Sequence, residues 1–324
     1  MRRIMFAAVG LAVYGAVAIL GAQAQQVDPG LKPYQRVSGI SGSLNSIGSD
    51  TMNNMMTLWA ETFLKMYPNV KIQIEGKGST TAPAALTTGT SQFGPMSRAM
   101  RAVEIDAFEL KYGYKPTQLR TSYDALAVYV NKDNPIEKLT LAQVEAIFSK
   151  TRKRGYKEDI KTWGQLGLTG DWANRPLSLY GRNAASGTYG FFKEHTLRNG
   201  DYKTTVKEQP GSSSVVQGVE GDRFGIGYSG IGYKTSGVKT VPLSETATSP
   251  VSDGSYADVT SGKYPLWRFL YVYVNKAPGK PVAPLVAEFV KLLFSKEGQE
   301  AVVKDGYMPL GAAQAQAELT KVVK

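Results

Sequence analysis

From Met52 the apolar residues fall at Met52, Met55, Met56, Trp59, Phe63 and Met66, in steps of three and four. That spacing lines one face of a helix, which Pro68 must close. The next segment, Val70–Glu75, reads VKIQIE and alternates with a period of two, as a strand does. Ahead of the helix, residues 43–47 read as a short strand ending at Gly48. After the second strand, GKGST at 76–80 is a turn, and Pro83 sits where a first helical turn tolerates proline. Strand, glycine turn and helix, then the same again, predicts an α/β fold with a largely parallel sheet. Later segments continue the alternation. Residues 140–148 and 190–197 have helical spacing, 177–180 and 224–228 read as strands, and 152–171 is a polar loop containing Trp163. Residues 282–294 and 297–304 read as closing helices.

The pentad VYVNK occurs twice, at 128–132 and 272–276, each time after an apolar strand. Five residues are too few for a repeat domain. They fit two neighbouring strands, one carrying the chain out of a first domain and the other bringing it back. On that reading residues 125–262 form an inserted domain, and 43–124 with 263–324 form the other. Residues 25–42, rich in Gly, Ser and Gln, read as a flexible arm.

The first residues belong to a different category. Arg2 and Arg3 precede an uncharged apolar run, and Ala22-Gln-Ala24 places small residues where a signal peptidase reads. Residues 1–24 are therefore expected to be a signal peptide cleaved after Ala24, with an uncleaved anchor as the competing reading. The mature chain is expected to be periplasmic or secreted. The full 324 residues carry 38 Lys and Arg against 27 Asp and Glu, so removing the two leader arginines leaves the mature chain 36 − 27 = +9. The positive charges are spread along the chain apart from KTRKR at 150–154, which reads as a solvated loop, and no nucleic-acid partner is expected. With no cysteine and only His195, thiolate chemistry and a multi-histidine metal centre are excluded, and binding is favoured over catalysis. No cofactor or metal is expected.

Three loops share one composition. GSDT at 48–51, GST at 78–80 and RNAASGT at 182–188 each follow a strand and precede a helix. Helix N-termini offer unpaired N–H groups and about half a positive charge, which suits phosphate-like anions. Serine, threonine and aspartate are equally the ordinary capping residues, so any one loop alone reads as a cap. Three together, with Arg182 in the third, fit a common tetrahedral oxyanion. GIGYSG at 225–230 satisfies the dinucleotide pattern GxGxxG, but the following IGYKTSG is no helix, so that reading fails. KGST at 77–80 lacks the phosphate-loop order.

At these loops the chain resembles the periplasmic phosphate-binding proteins of ABC transporters, the PstS-like family. Four blocks carry the resemblance: GSDTMNNMMTLWAETF at 48–63, GKGSTTAPAAL with FGPMSR at 76–98, YGRNAASGTYGFF at 180–192, and PLWRFLYVYVNKAPG with SKEGQEAVVKDGYMPL at 265–310. It implies a type II periplasmic binding protein fold, two α/β domains joined by two crossing hinge strands and closing on the anion. It places Asp50 and Thr51 at the anion from the first loop, Ser79 from the second, and Arg182, Ser186, Gly187 and Thr188 from the third, with Ser49 and Ser97 as further hydroxyl donors.

One departure matters. Many family members have Ser-Asp where this chain has Ser97-Arg98, and that aspartate accepts the hydrogen of protonated phosphate. A branch with Ser-Arg also carries GSDT, so Asp50 is expected to supply the missing acceptor, and Arg98 to lie with the ligand residues. The implied function is extracytoplasmic capture of inorganic phosphate by a monomer and delivery to an inner-membrane ABC permease, without catalysis. The alternatives are a secreted phosphomonoesterase using Ser186 or Thr51 as nucleophile, an adhesive protein, or a carrier of arsenate, molybdate or sulfate.

Overall fold

The computed structural model describes residues 26–323, so the expected leader and its cleavage point lie outside the described residues. The chain first builds β1 (Gly42–Ile47), α1 (Asn53–Met66), β2 (Val70–Glu75), α2 (Thr81–Thr88), β3 (Phe93–Met96) and α3 (Ala102–Tyr112). A fifteen-residue strand, β4 (Thr117–Asn131), leads into β5 (Leu139–Thr140), α4 (Leu141–Phe148), β6 (Ser178–Arg182), α5 (Gly187–His195) and β7 (Lys207–Gln209). There follow α6 (Ser212–Gly221), β8 (Gly225–Gly230), β9 (Val238–Thr240), β10 (Leu243–Ser244) and α7 (Tyr256–Thr260). The chain closes with β11 (Trp267–Val274), α8 (Pro284–Leu293), α9 (Lys296–Lys304) and α10 (Ala312–Leu319).

The helical stripe does what its spacing requires. Met55, Met56, Trp59 and Phe63 of α1 are fully buried, and Trp59 Nε1 donates to the Gly298 carbonyl at 2.7 Å, joining α1 to α9. Phe63 meets Phe289 of α8 edge to face at 5.3 Å between ring centres. Such rings exclude water and add direction to the packing.

The sheet runs β2-β1-β3-β11-β4-β8-β6-β7, with β9 also on β4. Pairing on β4 changes hands along its length. Residues 117–125 pair antiparallel with β11, and Leu126–Val130 pair antiparallel with β8. One strand thus belongs to both α/β halves, as the type II binding fold requires. We refer to the halves by the expected division, 43–124 with 263–324 and 125–262. The two VYVNK pentads lie on neighbouring strands but do not face each other. Val128 faces Tyr228, whereas Val272 faces Leu119 and Pro95. The return path passes Tyr264, whose hydroxyl donates to the Leu126 carbonyl at 3.0 Å, and reaches Leu266, whose carbonyl accepts from Leu126 N–H at 3.0 Å.

The expected flexible arm is instead docked on the body. Leu31 is buried, Tyr34 Oη donates to Glu288 at 2.6 Å, and Tyr34 N–H donates to Glu297 at 2.8 Å. Asp28 accepts the N–H of Ala312 at 2.9 Å, at the start of α10. Gly, Ser and Gln content signalled a lack of regular structure, which is correct, but three anchors at spacings of three residues hold the irregular chain in place.

Candidate functional site

Each of the three helix starts is shaped by a glycine in close contact. Gly48 follows β1 directly, and a Cβ there would stand 2.2 Å from the Pro95 carbonyl oxygen. The chain then enters a single tight turn, Asp50–Met52, ahead of α1. Gly78, with φ +114°, brings the second start against the other half, where a Cβ would stand 2.4 Å from the Ala185 oxygen. Thr80 N–H and Oγ1 both donate to that oxygen at 3.2 Å. At the third start Ser186 Oγ accepts the N–H groups of Thr188 and Tyr189 at 3.1 and 3.4 Å, so it caps α5.

These starts converge. Thr51 Oγ1 and Thr188 Oγ1 are hydrogen-bonded at 2.9 Å across the two halves. Ser79 Oγ lies 3.2 Å from Ser97 Oγ and accepts Ser97 N–H at 3.0 Å. A Cβ at Gly187 would stand 2.3 Å from Ser79 Oγ and 2.7 Å from Ser97 Oγ. Thr51, Ser79, Ser97 and Thr188 are all fully buried, and Ser49 and Ser186 are 2 % exposed. Four hydroxyl-bearing residues, Thr51, Ser79, Ser97 and Thr188, and Gly187 therefore meet in one place between the halves, from three helix starts and one strand end.

Beside them lies the charge. Arg182, 1 % exposed, donates from Nη1 to Ser212 Oγ at 2.6 Å and from Nη2 to the Pro210 carbonyl at 3.1 Å. Asp50 Oδ2 sits 3.2 Å from Arg182 Nη1 and accepts Ser212 N–H at 2.8 Å. Asp50 is therefore no cap of its own turn; it bridges to the other half. Burial lowers the Arg182 pKa and Asp50 opposes the shift. Arginine stays charged regardless. Arg182 Nε and Ser49 Oγ are buried with no hydrogen-bond partner. A desolvated cation with a free donor calls for an anion. Tyr307 Oη donates to the Thr51 carbonyl at 3.0 Å and Tyr233 Oη to the Asp50 carbonyl at 2.9 Å, fixing the first start from both halves.

Arg98 is not brought to this cluster. Its guanidinium grips Glu104 with two bonds of 2.6 and 2.7 Å and also donates to Ala99. Burial pushes the Glu104 carboxyl up, but the Arg98 fork and the Arg101 N–H outweigh it, and its pKa is lowered. An arginine with a carboxylate six residues along the same chain has a partner of its own.

The cation that sequence reasoning missed is Arg268. It lies in the buried register of β11, directly opposite Asp124 on β4. Its Nε and Nη2 bind Asp124 Oδ2 at 2.8 and 2.7 Å, Nη1 donates to the Ser97 carbonyl at 2.8 Å, and Nη2 donates to Thr188 Oγ1 at 3.0 Å. The signal was present as one charge inside each of two otherwise apolar strands. His195 lies outside the cluster, an exposed residue whose ring stands 4.1 Å from that of Phe191, and partial desolvation there lowers its pKa.

Behind the cluster, Asp305 Oδ2 is buried without a partner, and burial with nearby Asp124 pushes this carboxyl up to about 7. A carboxylic acid raised above its ordinary 3.8 holds a proton that the unfolded chain has released. Its contribution to stability is complete below pH 4 and is lost as the pH rises through 7. Asp28 and Glu104, whose values are lowered, lose theirs only on further acidification. Asp305→Asn should remove the decline in melting temperature between pH 4 and 7 and melt higher than wild type at pH 8. Parallel thermal melts from pH 4 to 8 check this.

A fold of two halves meeting on buried hydroxyls and an arginine defines a two-lobed binding protein, and residues 35–297 match the model of the PBP superfamily domain. Over 322 residues, 99 % of this chain and 98 % of the relative, the sequence is 55 % identical to the phosphate-binding protein PstS of Pseudomonas aeruginosa. The chain belongs to the PstS family of phosphate-binding proteins. It is also 28 % identical to protein SphX of Synechococcus elongatus, over 87 % of this chain and 82 % of that one. Among solved structures it resembles a Clostridium perfringens putative phosphate ABC transporter substrate-binding protein with bound phosphate. The TM-score is 0.68 at 24 % identity, over 83 % of this chain and 99 % of that one.

Proposed function

We propose that this chain captures inorganic phosphate between its two halves and delivers it to an ABC-type permease. The observation that carries the reading is the meeting of three helix starts and four buried hydroxyl-bearing residues beside the desolvated Arg182. Kinship with a named phosphate-binding protein and the shared fold of a phosphate-bound structure support it.

Binding needs only donors, closure and one acceptor. The hydroxyls of Ser49, Thr51, Ser79, Ser97 and Thr188 and the N–H groups at the α5 start supply neutral donors. Arg182 supplies a charge-assisted, forked contact. Closing the halves removes water, which strengthens each contact in the lower dielectric. Ser186 Oγ already serves α5 as an acceptor, and among the described residues no carboxylate or imidazole is hydrogen-bonded to it, which supports a carrier that makes and breaks no bond. The mature protein would work as a monomer outside the inner membrane, after cleavage at Ala24.

Asp50 is the selectivity residue. A carboxylate beside the anion tolerates a protonated phosphate, which donates to it, and repels sulfate, which has no hydrogen to give. Asp50→Asn is expected to weaken phosphate about tenfold and to bring sulfate within reach of it. Calorimetric titration of protein stripped by unfolding and refolding, with both anions in parallel, measures this. Unchanged phosphate affinity with sulfate still excluded would remove Asp50 from the selection.

A further inference from the structure

A cleft of about 770 Å3 between the halves adjoins the hydroxyl cluster through Arg268 and the first turn of α5. Its walls carry Arg98, Arg101 and Arg268 on one side and Lys193 and His195 on the other, with Glu194 as the one carboxylate among the lining residues. Arg98 and Arg268 are balanced by Glu104 and Asp124, whereas Arg101 has no acidic partner within 4.0 Å among the described residues. Among the described residues the one acidic partner of Lys193 is Asp201, at 3.5 Å.

Two of these guanidinium groups converge on one point of α5. At Gly190 a Cβ would stand 3.4 Å from Arg101 Nη2, 3.4 Å from Arg98 Cδ and 3.6 Å from Arg98 Nε. The missing side chain leaves a notch facing both arginines. Arg98 is 7 % exposed, yet its Nε, on the edge of that notch, has no hydrogen-bond partner. A buried N–H donor without an acceptor is costly, and an oxyanion supplies one.

We propose that this notch is a second, outer oxyanion site, where a tetrahedral dianion docks from solvent before phosphate passes to the inner cluster. The assignment rests on the phosphate reading above. It gives Arg98 a role that its pairing with Glu104 denies it inside. The outer site offers donors and positive charge, and Glu104, the carboxylate beside Arg98, has both oxygens taken by Arg98 and the Arg101 N–H, so it does not test the anion for a proton as Asp50 does inside. Sulfate therefore occupies it as readily as phosphate does. The inner cluster selects; the outer notch concentrates.

The two roles separate kinetically. The full-length mature chain, stripped of ligand, is mixed with inorganic phosphate in stopped flow at one fixed ionic strength, with sodium chloride progressively replaced by sodium sulfate. Sulfate is expected to lower the phosphate association rate at least threefold beyond chloride and to leave dissociation unchanged. Arg101→Glu with Lys193→Glu is expected to lower association about tenfold and to abolish the sulfate effect, with the ligand-free melting temperature as the folding control. Arg101→Gln alone should show the same trend at smaller size. Equal slowing by sulfate and chloride in wild type overturns the proposal, as does a charge-reversed variant that keeps the wild-type rate. A sulfate effect that persists undiminished in that variant places sulfate in the inner cluster and also overturns it. A wild-type chain that gives no phosphate signal at all brings down the phosphate reading itself.

Discussion

Arg182→Ala should weaken phosphate binding by about a hundredfold to a thousandfold, equivalent to about 3–4 kcal/mol. The size follows from the surroundings. The guanidinium is 1 % exposed, so its contact with an anion is not diluted by water. Its removal also strands Asp50, which then faces the incoming dianion without the cation 3.2 Å away that offset it. Both consequences act against binding. Arg182→Lys keeps the charge but loses the planar fork that reaches Ser212 and Pro210 together, so an intermediate loss is expected. Calorimetry of stripped protein separates the three chains. Near wild-type affinity in Arg182→Ala would mean that the anion is held elsewhere.

Gly187→Ala should be of similar magnitude for a different reason. One methyl group would stand 2.3 Å from Ser79 Oγ and 2.7 Å from Ser97 Oγ. Both oxygens belong to the opposite half, and both are anchored, Ser79 by Ser97 N–H and Ser97 by its place after β3. The methyl is accommodated by parting the halves. The ligand-free chain loses little, because alanine suits the first position of a helix. The closed, phosphate-bound form loses most of its stabilisation. Titration should show binding weakened at least a hundredfold. Small-angle scattering should show that saturating phosphate compacts wild type but not the variant. Normal compaction in Gly187→Ala would mean that the two halves do not close at this point.

Much of this was legible in the sequence, for identifiable reasons. The stripe of α1 and the alternation of β2 are period signals, and both hold to within a residue or two. The third loop could be read because strand, glycine and hydroxyls stand in local order. α3 and α6 went unassigned: α3 buries only Phe108 and so lacks a stripe, and α6 carries its apolar Val215, Val216 and Val219 behind three serines. What failed most was pairing across distance. Arg98 is settled by Glu104, close in sequence, and an i to i+6 carboxylate was a readable hint. Asp50 meets Ser212, 162 residues away, and Arg268 meets Asp124, 144 residues away, where no local rule applies. Charges inside apolar strands mark where to look, but the partner comes only from the register of β4 and β11.

The interrupted half has a consequence for how the chain emerges. Its strand β3 waits for β11, its helix α1 waits for Gly298, and the arm at Asp28 waits for Ala312. As the chain emerges, residues 126–262 have their sheet partners in hand well before the remaining segments arrive. The other half stays unfinished until almost the last residue has emerged. Its apolar α1 surface must stay shielded through that interval, which makes emergence of the chain, rather than the finished molecule, the stage at which this architecture is most prone to aggregate.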